Sequence, residues 1–431
     1  MQLKYILLAS AGAAVLLAST PAFAGGFYIQ EESVKGLGRA YSGEASDTGA
    51  DDLWWNPAAI AGVEHGELYN GLQGILTQGT VHNEGSTITR PGQATAPVGG
   101  SGEQFKPIEQ AVVPNLAAAY RLTDQIVVGL AVTSPFDFTT KYDYNSFARY
   151  DAPKSKLETI DVGPTVAWQP LKWLALGVGF DAQHVDANIG SALPNLSPLL
   201  PDGGEVLKGN GWDYGYNVGA QFHPDQRLSI GVSYRSAVTH HLDGSINIAG
   251  LDGALAAENG DPRAKAKFTT PWFATVGGRY KVTEQFTVNA QVQRIGWSEF
   301  STIQTTSALG VMNTAEGYRD TTTAAVGLEY AINPKWTIRT GAQYDPTPTN
   351  PADRSAGVPD GNRWLVTAGT TVKPRSWLAL DFAIAWIDFE GSRIDRDATA
   401  FAGTAAITPI SIQGEVDASG AIVSAGAHLL F

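Results

Sequence analysis

Residues 172–181, KWLALGVGFD, show an alternation of side chains that is typical of a β-strand. Every second side chain is large and apolar, and the side chains between them are small or polar. The large set consists of Leu174, Leu176, Val178 and Phe180. Alternation of period two places the two sets on opposite faces of a β-strand. The same pattern recurs at 226–235, 286–293 and 377–386, so the chain is rich in strands with one apolar face.

Strand-like segments of this kind fill the chain from residue 66 to its end. They are 66–78, 110–121, 124–141, 157–169, 172–189, 211–223, 226–241, 267–281, 284–300, 320–332, 335–345, 362–373, 376–390 and 421–431. Short turns such as Pro170-Leu171 and Asn333-Pro334 alternate with long polar loops such as 190–210 and 391–420. The sequence therefore predicts an all-β fold, a transmembrane β-barrel of about 14 antiparallel strands in the outer membrane of a Gram-negative bacterium.

Closure explains why these strands indicate a membrane protein. In hydrocarbon every backbone group must be paired, and a barrel without edges achieves this. The charged fraction of only 16% agrees with such a setting. Tryptophans are predicted near the short turns, where they would form an aromatic girdle at the membrane interface. This set comprises Trp168, Trp173, Trp336, Trp364 and Trp377.

The first 24 residues have the composition of a secretory signal peptide. Lys4 precedes an apolar run at 6–18, and Ala22-Phe23-Ala24 provides a small-residue cleavage pattern. The alternative, a membrane anchor, is disfavoured because a spanning helix needs roughly 20 apolar residues. We therefore predict a signal peptide over 1–24.

Composition excludes several functional classes. Cysteine is absent, so an exported chain of this length has no disulfide scaffold. The formal net charge is −13 and no basic stripe is present, which argues against nucleic acid as a partner. No nucleotide-binding or ion-coupling motif is visible, and we expect no cofactor and no catalytic activity.

Residues 25–65 precede the predicted barrel, which spans 66–431. They carry apolar side chains among small residues, at Phe27, Tyr28, Ile29, Leu37, Tyr41, Leu53, Trp54, Trp55 and Ile60. Such a segment is predicted to pack inside the lumen as a hatch that plugs it. Pro57 fixes its own φ and biases Asn56 away from helix. The alternative is a simple turn that leads into the first strand.

Several motifs resemble the FadL family of outer-membrane transporters. The matching pieces are GLGRAYSGE at 36–44, Asn56-Pro57-Ala58, Val113-Pro114-Asn115, and Asp181 after Gly-Val-Gly-Phe. The resemblance covers the whole mature chain. It implies a monomeric 14-stranded barrel whose hatch blocks the lumen, and a protein that contacts outer-membrane lipid.

The resemblance also implies a route for hydrophobic molecules. A ligand is captured at the extracellular loops and moves to a pocket, after which the hatch shifts and the ligand leaves sideways through the wall. The gating residues would be Asn56, Pro57 and Ala58. The lateral gap would lie where the third strand kinks, at Ser134-Pro135-Phe136-Asp137, and proline within a strand independently indicates an edge or bulge.

Two substrate classes stay open. Long-chain fatty acids are the main expectation and neutral aromatic hydrocarbons the alternative. A carboxylate favours a basic partner, and strand parity lets Arg235 and Arg339 point inward. The family's basic residue after the fifth strand has no counterpart at 188–191, which weakens the fatty-acid assignment. The other candidate ligand contacts are Phe27, Leu193 and Leu196.

Other chemistry has weaker support. His240-His241 are adjacent and would face opposite ways on a strand, which disfavours a metal site. Asp47, Asp51 and Asp52 suit calcium, but solvated acids are the plainer interpretation, and we predict no metal. A barrel hydrolase has no supporting motif. A general diffusion porin conflicts with the apolar plug.

Overall fold

The computed structural model describes residues 25–151, 153–308 and 310–431, so the predicted signal peptide lies outside the described residues. The strands are β1 Gly66–Asn83, β2 Thr87–Ile88, β3 Ala96–Pro97, β4 Glu103–Phe105, β5 Ala111–Arg121, β6 Ile126–Thr133, β7 Asp137–Lys141, β8 Lys154–Leu171, β9 Leu174–Leu193, β10 Gly203–Phe222, β11 Leu228–Arg235, β12 Val238–Ala249, β13 Arg263–Thr270, β14 Phe273–Lys281, β15 Phe286–Ile295, β16 Thr302–Ser307, β17 Gly310–Ala315, β18 Thr321–Asn333, β19 Trp336–Asp345, β20 Arg363–Arg375, β21 Leu378–Phe389, β22 Ser392–Ala400 and β23 Thr408–Leu430. None of the helices in the described ranges is long and apolar enough to cross a membrane.

These segments form one closed antiparallel barrel of 14 strands. Several barrel strands consist of two segments in line, namely β6 with β7, β11 with β12, β13 with β14, β15 with β16, β17 with β18 and β21 with β22. The barrel closes where β1 pairs with β23, from Glu67↔Leu430 to Asn83↔Gly414. The predicted fold class is confirmed.

The alternation of side chains separates membrane from lumen. On β9 the predicted apolar set faces outward, with Val178 54% and Phe180 48% exposed, whereas Ala175 and Asp181 are buried. The girdle tryptophans also face outward, but Trp364 was placed wrongly. It lies at the start of β20, after the long loop that follows β19, and so belongs to the opposite rim.

Two predicted loops are shorter than expected. β9 and β10 extend toward each other and leave only residues 194–202 between them, while β22 and β23 form a hairpin within the predicted loop 391–420. These extensions lie at the long-loop end of the barrel and are rich in polar residues. In these extensions the buried face carries apolar residues such as Val185 and Ile412, whereas the outward face is polar, so the alternation is inverted relative to the membrane-spanning part of the barrel.

Residues 25–63 fill the lumen as the hatch. They contain the helix α1 (Val34–Leu37) and three 3-10 helices at Glu44–Ser46, Ala50–Asp52 and Pro57–Gly62. Ser33 caps α1 by accepting a hydrogen bond from the Gly36 amide at 2.9 Å. The aromatic side chains of the segment are buried, so the hatch and the barrel share one core.

Inward-facing glycines let the hatch backbone approach the wall. A Cβ at Gly219 would overlap the Asn56 side-chain oxygen, and one at Gly177 would overlap the Pro57 backbone. A Cβ at Gly369 would lie 2.6 Å from the Cα of Gly38. These strand positions therefore require glycine because of close approach rather than backbone conformation.

Candidate functional site

The Asn56-Pro57-Ala58 turn is fixed against the wall by one side chain. Asn56 accepts a hydrogen bond from the Ala58 amide at 2.9 Å and so caps the helix that Pro57 begins. Its Nδ2 donates to the Ala45 carbonyl at 2.6 Å and lies 3.2 Å from the Ala220 carbonyl on β10. The turn thus ties two parts of the hatch to the wall near β10.

The third barrel strand is interrupted where the sequence predicts a kink. β6 ends at Thr133 and β7 begins at Asp137, so Ser134, Pro135 and Phe136 belong to no strand. Pairing with the second barrel strand stops at Leu116↔Val132 and resumes only at the isolated bridge Ile108↔Thr140.

A threonine on the next strand holds this break in place. Thr159 on β8 accepts a hydrogen bond from the Phe136 amide at 2.9 Å and donates to the Phe136 carbonyl at 2.7 Å. The Ser134 hydroxyl donates to the Thr159 carbonyl at 2.7 Å. Sequence reasoning missed Thr159, because a threonine in a strand carries no signal of its own.

The N-terminal end of the hatch covers the break from inside. Ile29 donates its amide to the Pro135 carbonyl at 2.9 Å, and Asp137 donates to the Phe27 carbonyl at 3.2 Å. Tyr28 and Phe136 form an antiparallel bridge. The segment Phe27–Ile29 therefore acts as an extra strand at the break. The Asn56-Pro57-Ala58 turn lies elsewhere, against the wall near β10.

Two glutamates follow this segment and are completely buried. The Glu31 carbonyl accepts hydrogen bonds from Gln73 and, at 2.6 Å, from Asn115. Burial raises the pKa of Glu31, and burial together with repulsion from Glu31 and Asp161 raises the pKa of Glu32 well above its usual value. Both shifts favour the protonated form more than in an exposed glutamate.

Phe27 is the centre of an aromatic cluster between the break and an apolar pocket. Its ring centroid lies 4.9 Å from those of Trp297 and Phe300, and 5.8 Å from those of Phe136 and Phe138. The pocket itself is narrow, with a cavity volume of about 40 Å³. Its apolar lining is Phe27, Phe138, Leu157, Leu242, Phe268 and Phe300, among others.

Leu193 and Leu196 extend the apolar surface toward the extracellular loops. Leu193 is buried in a cluster with Leu251 and Leu255, and Leu196 packs against the cluster. Leu207 packs against the same cluster and also lines the pocket. Apolar contacts are thus continuous from the loops to Phe27.

Neither predicted arginine is free to meet a carboxylate in this pocket. Arg235 forms an ion pair with Asp181, and its Nη2 donates to the Trp54 carbonyl at 2.9 Å. Arg339 lies 2.9 Å from Glu329 and lines a separate cavity at the short-turn end. Strand parity placed both side chains inward, but parity carries no information about their partners.

Lys35 takes the place that calcium would need in the hatch. Its Nζ lies 3.1, 3.2 and 3.1 Å from Asp47, Asp51 and Asp52. Burial raises the pKa of Asp47, but attraction to Arg279, Lys35 and other cations outweighs burial and holds it well below the usual range. The three acids therefore surround an ammonium group, not bulk solvent as the plainer interpretation expected.

His428 also lies among acids but is already bonded on both sides. Asp51, Glu67 and His428 have ligand atoms within 4.8 Å of one another. The two ring nitrogens lie 2.6 Å from Glu67 and 2.7 Å from Asp381. This arrangement suits a protonated imidazole that links β1, β23 and β21.

His240 and His241 face opposite ways, as predicted. His240 is buried in the lumen, whereas the His241 side chain is 62% exposed and lies 3.0 Å from Asp213. The Nδ1 atom of His240 lies 4.0 Å from the same carboxylate.

Comparisons with known proteins agree with this geometry. The family described as "Outer membrane protein transport protein (OMPP1/FadL/TodX)" matches residues 15–431. A long-chain fatty acid transport protein of Escherichia coli O6:H1 is 29% identical over 394 residues, which covers 83% of this chain and 85% of the relative.

Solved structures show the same fold. A Pseudomonas aeruginosa FadL homologue matches with a TM-score of 0.83 at 20% identity, over 94% of this chain and 100% of the other. The Pseudomonas putida toluene transporter TodX matches with a TM-score of 0.68 at 16% identity, over 95% and 100% of the two chains. Since the family match spans nearly the whole chain, the chain is an outer-membrane protein of the OMPP1/FadL/TodX transport family.

Proposed function

We propose that the protein carries hydrophobic molecules into the outer membrane without an energy source. The ligand is caught near Leu193 and Leu196, enters the apolar pocket, passes Phe27 and leaves between the second and third barrel strands. Each CH₂ group buried on this route contributes about 0.8 kcal/mol, which a watery pore would not provide.

The break in the wall carries the proposal. The ladder is interrupted around Ser134, Pro135, Phe136 and Asp137, and the segment Phe27–Ile29 pairs with the break from inside. Displacing that segment would join the pocket to the lipid. Asn56, Pro57 and Ala58 would hold the rest of the hatch during this movement, so that they gate the route indirectly.

Long-chain fatty acids are the first proposed substrate class, because the Escherichia coli relative is named as their transporter. Neutral aromatic hydrocarbons are the second, and two observations favour them. The pocket is rich in phenyl rings, and both candidate cations, Arg235 and Arg339, are already paired. The protein would act as a monomer and not as an enzyme.

Uptake by cells tests the substrate class. A strain without its own fatty-acid transporter would be given labelled oleate or labelled toluene, with and without this protein. Restored oleate uptake supports fatty acids, while toluene uptake alone supports hydrocarbons. Failure with both, in cells that contain the inserted barrel, would contradict the proposal.

A cross-link tests the route itself. The chain has no cysteine, so Tyr28→Cys with Phe136→Cys introduces a single pair across the bridge that covers the break. Oxidation should stop uptake and reduction should restore it. Thr239→Cys with Thr269→Cys is the matched control, because these paired residues lie in a continuous ladder. Unchanged uptake through the oxidised Tyr28–Phe136 pair would rule out this exit.

A further inference from the structure

The lysines of the barrel are unevenly distributed. Four lie near the short turns, at Lys172, Lys281, Lys335 and Lys373. The other seven lie toward the long-loop end, on or beside segments from β4 to β13. They are Lys106, Lys141, Lys154, Lys156, Lys208, Lys265 and Lys267. The lysines of the outer rim therefore lie on one flank, whereas the rim at β18 to β23 carries arginines such as Arg393 and Arg396 instead.

The strand register arranges part of this flank in rows on the outer surface. The upper row runs across five strands as Lys156, Asn188, Lys208, Ser245 and Arg263. Two residues nearer the membrane, the next row is Glu158, Asp186, Asn210, Asp243 and Lys265. Their neighbours along each strand, such as Leu157 and Ala187, are buried in the lumen, so both rows face away from it.

A hollow of about 1220 Å³ lies on the same surface. Its lining includes three cations, Lys208, Arg263 and Lys265, and three acids, Asp186, Asp243 and Asp261. Lys265 lies 3.2 Å from Asp243, but these side chains are 77% and 78% exposed. Exposed pairs of this kind contribute little to stability, so these groups can exchange partners at low cost.

The hollow lies just above the hydrocarbon layer. Trp212, Tyr214 and Tyr216 on β10 are all more than half exposed and mark the membrane interface on this flank. Lys208 precedes Trp212 by four residues, which at about 3.3 Å per residue and a tilt of roughly 40° is about 10 Å higher. That is the level of lipid headgroups.

We propose that this hollow binds the phosphorylated sugar headgroup of an outer-leaflet glycolipid. Lys208, Arg263 and Lys265 would bind phosphate, as cations near a membrane surface do. Asp186, Asp243 and the neighbouring amides would accept hydrogen bonds from sugar hydroxyls. The acyl chains would lie against the exposed aromatic side chains below. The site would anchor the flank of the barrel that lies behind the apolar pocket.

Native mass spectrometry of the full-length barrel in detergent tests this site, with lipid A that carries two phosphates as the probe. The test variant is Lys208→Glu with Arg263→Glu. The control variant is Lys281→Glu with Lys335→Glu, which changes the charge equally at the periplasmic turns, where both side chains are exposed. We expect roughly tenfold weaker binding of lipid A to the test variant and unchanged binding to the control.

Two further binding measurements identify which part of the headgroup is recognised. Dephosphorylated lipid A should bind as weakly to the native protein as lipid A does to the test variant. Inorganic phosphate in millimolar excess should compete poorly, because it lacks the sugar and the acyl chains. Equal binding of lipid A to both variants, or no preference for the phosphorylated form, would overturn the proposal. Heat-modified gel migration of each variant confirms that its barrel is folded.

Discussion

The guanidinium of Arg235 lies over the indole ring of Trp54, with 3.8 Å between its central carbon and the ring centroid. The same guanidinium pairs with Asp181 on β9 and bonds to the Trp54 carbonyl. A desolvated contact between a cation and an aromatic ring is worth about 2 kcal/mol. The tryptophan pair of the hatch is therefore bound to the wall, and Arg235 has a structural task there.

Arg235→Met should loosen the hatch and reduce the uptake of every ligand alike. Asp181 is only 1% exposed, and a buried charge without its partner costs about 3–5 kcal/mol. Limited proteolysis of the hatch and uptake of oleate and toluene measure the effect. Arg235→Met combined with Asp181→Asn should recover much of the loss. Selective loss of oleate uptake would instead show that Arg235 binds the ligand carboxylate.

Asn56→Ala should leave the barrel folded and lower uptake. The change removes the cap at Ala58 and the hydrogen bond to Ala45, each worth about 1 kcal/mol. Asn56→Asp separates the two effects, because it keeps the oxygen that accepts from Ala58 and loses the donor to Ala45. Normal uptake by a correctly inserted Asn56→Ala protein would remove the proposed gating role.

Gly219→Ala should displace the hatch from its position against the barrel wall. The new methyl group would overlap the Asn56 side chain, and the backbone there cannot move without breaking the ladder between β10 and β11. Higher single-channel conductance in a planar bilayer is the expected result. Gly278→Ala is the control, since the nearest atom to its new methyl group, the Ser229 carbonyl oxygen, is 3.9 Å away. Equal conductance of the two variants would contradict the role of close packing.

The extracellular loops should loosen as pH rises from about 4.5 to about 7. Burial raises the pKa of Glu316 to about 7; Arg396 opposes this shift and Asp151 adds to it. The folded state therefore holds a proton that the unfolded chain releases near 4.5, so its stability falls between these pH values. Protease cleavage of the loops should be faster at pH 8 than at pH 5. Glu316→Gln should flatten that difference, and an unchanged pH dependence would implicate another group.

The wall was predictable from the sequence, and much of the site was not. Each strand faces lipid on one side and the lumen on the other, so the alternation in KWLALGVGFD records the environment directly. The third-strand break was predictable because Pro135 cannot donate to a ladder. Trp364 was misplaced because a tryptophan marks an interface without showing which one.

A residue's contacts with residues distant in sequence leave no pattern near it in the sequence. The contacts of the candidate site could therefore not be predicted. Strand alternation predicted that the Arg235 side chain points inward. Nothing near it in the sequence indicated that Asp181 would form an ion pair with it. Asn56-Pro57-Ala58 has the sequence of a turn. Phe27–Ile29, which covers the break, has no distinctive sequence motif. Thr159 acts through a hydroxyl that replaces ladder hydrogen bonds, and only the folded sheet shows that the bonds are missing.

The seam between β1 and β23 also fixes an order of assembly. It joins Glu67 to Leu430, so the barrel cannot close until nearly the whole chain has crossed into the periplasm and reached the membrane. The hatch precedes β1 and packs closely against glycines on several strands. The seam can therefore form only when β1 and β23, the first and the last barrel strands, are both present.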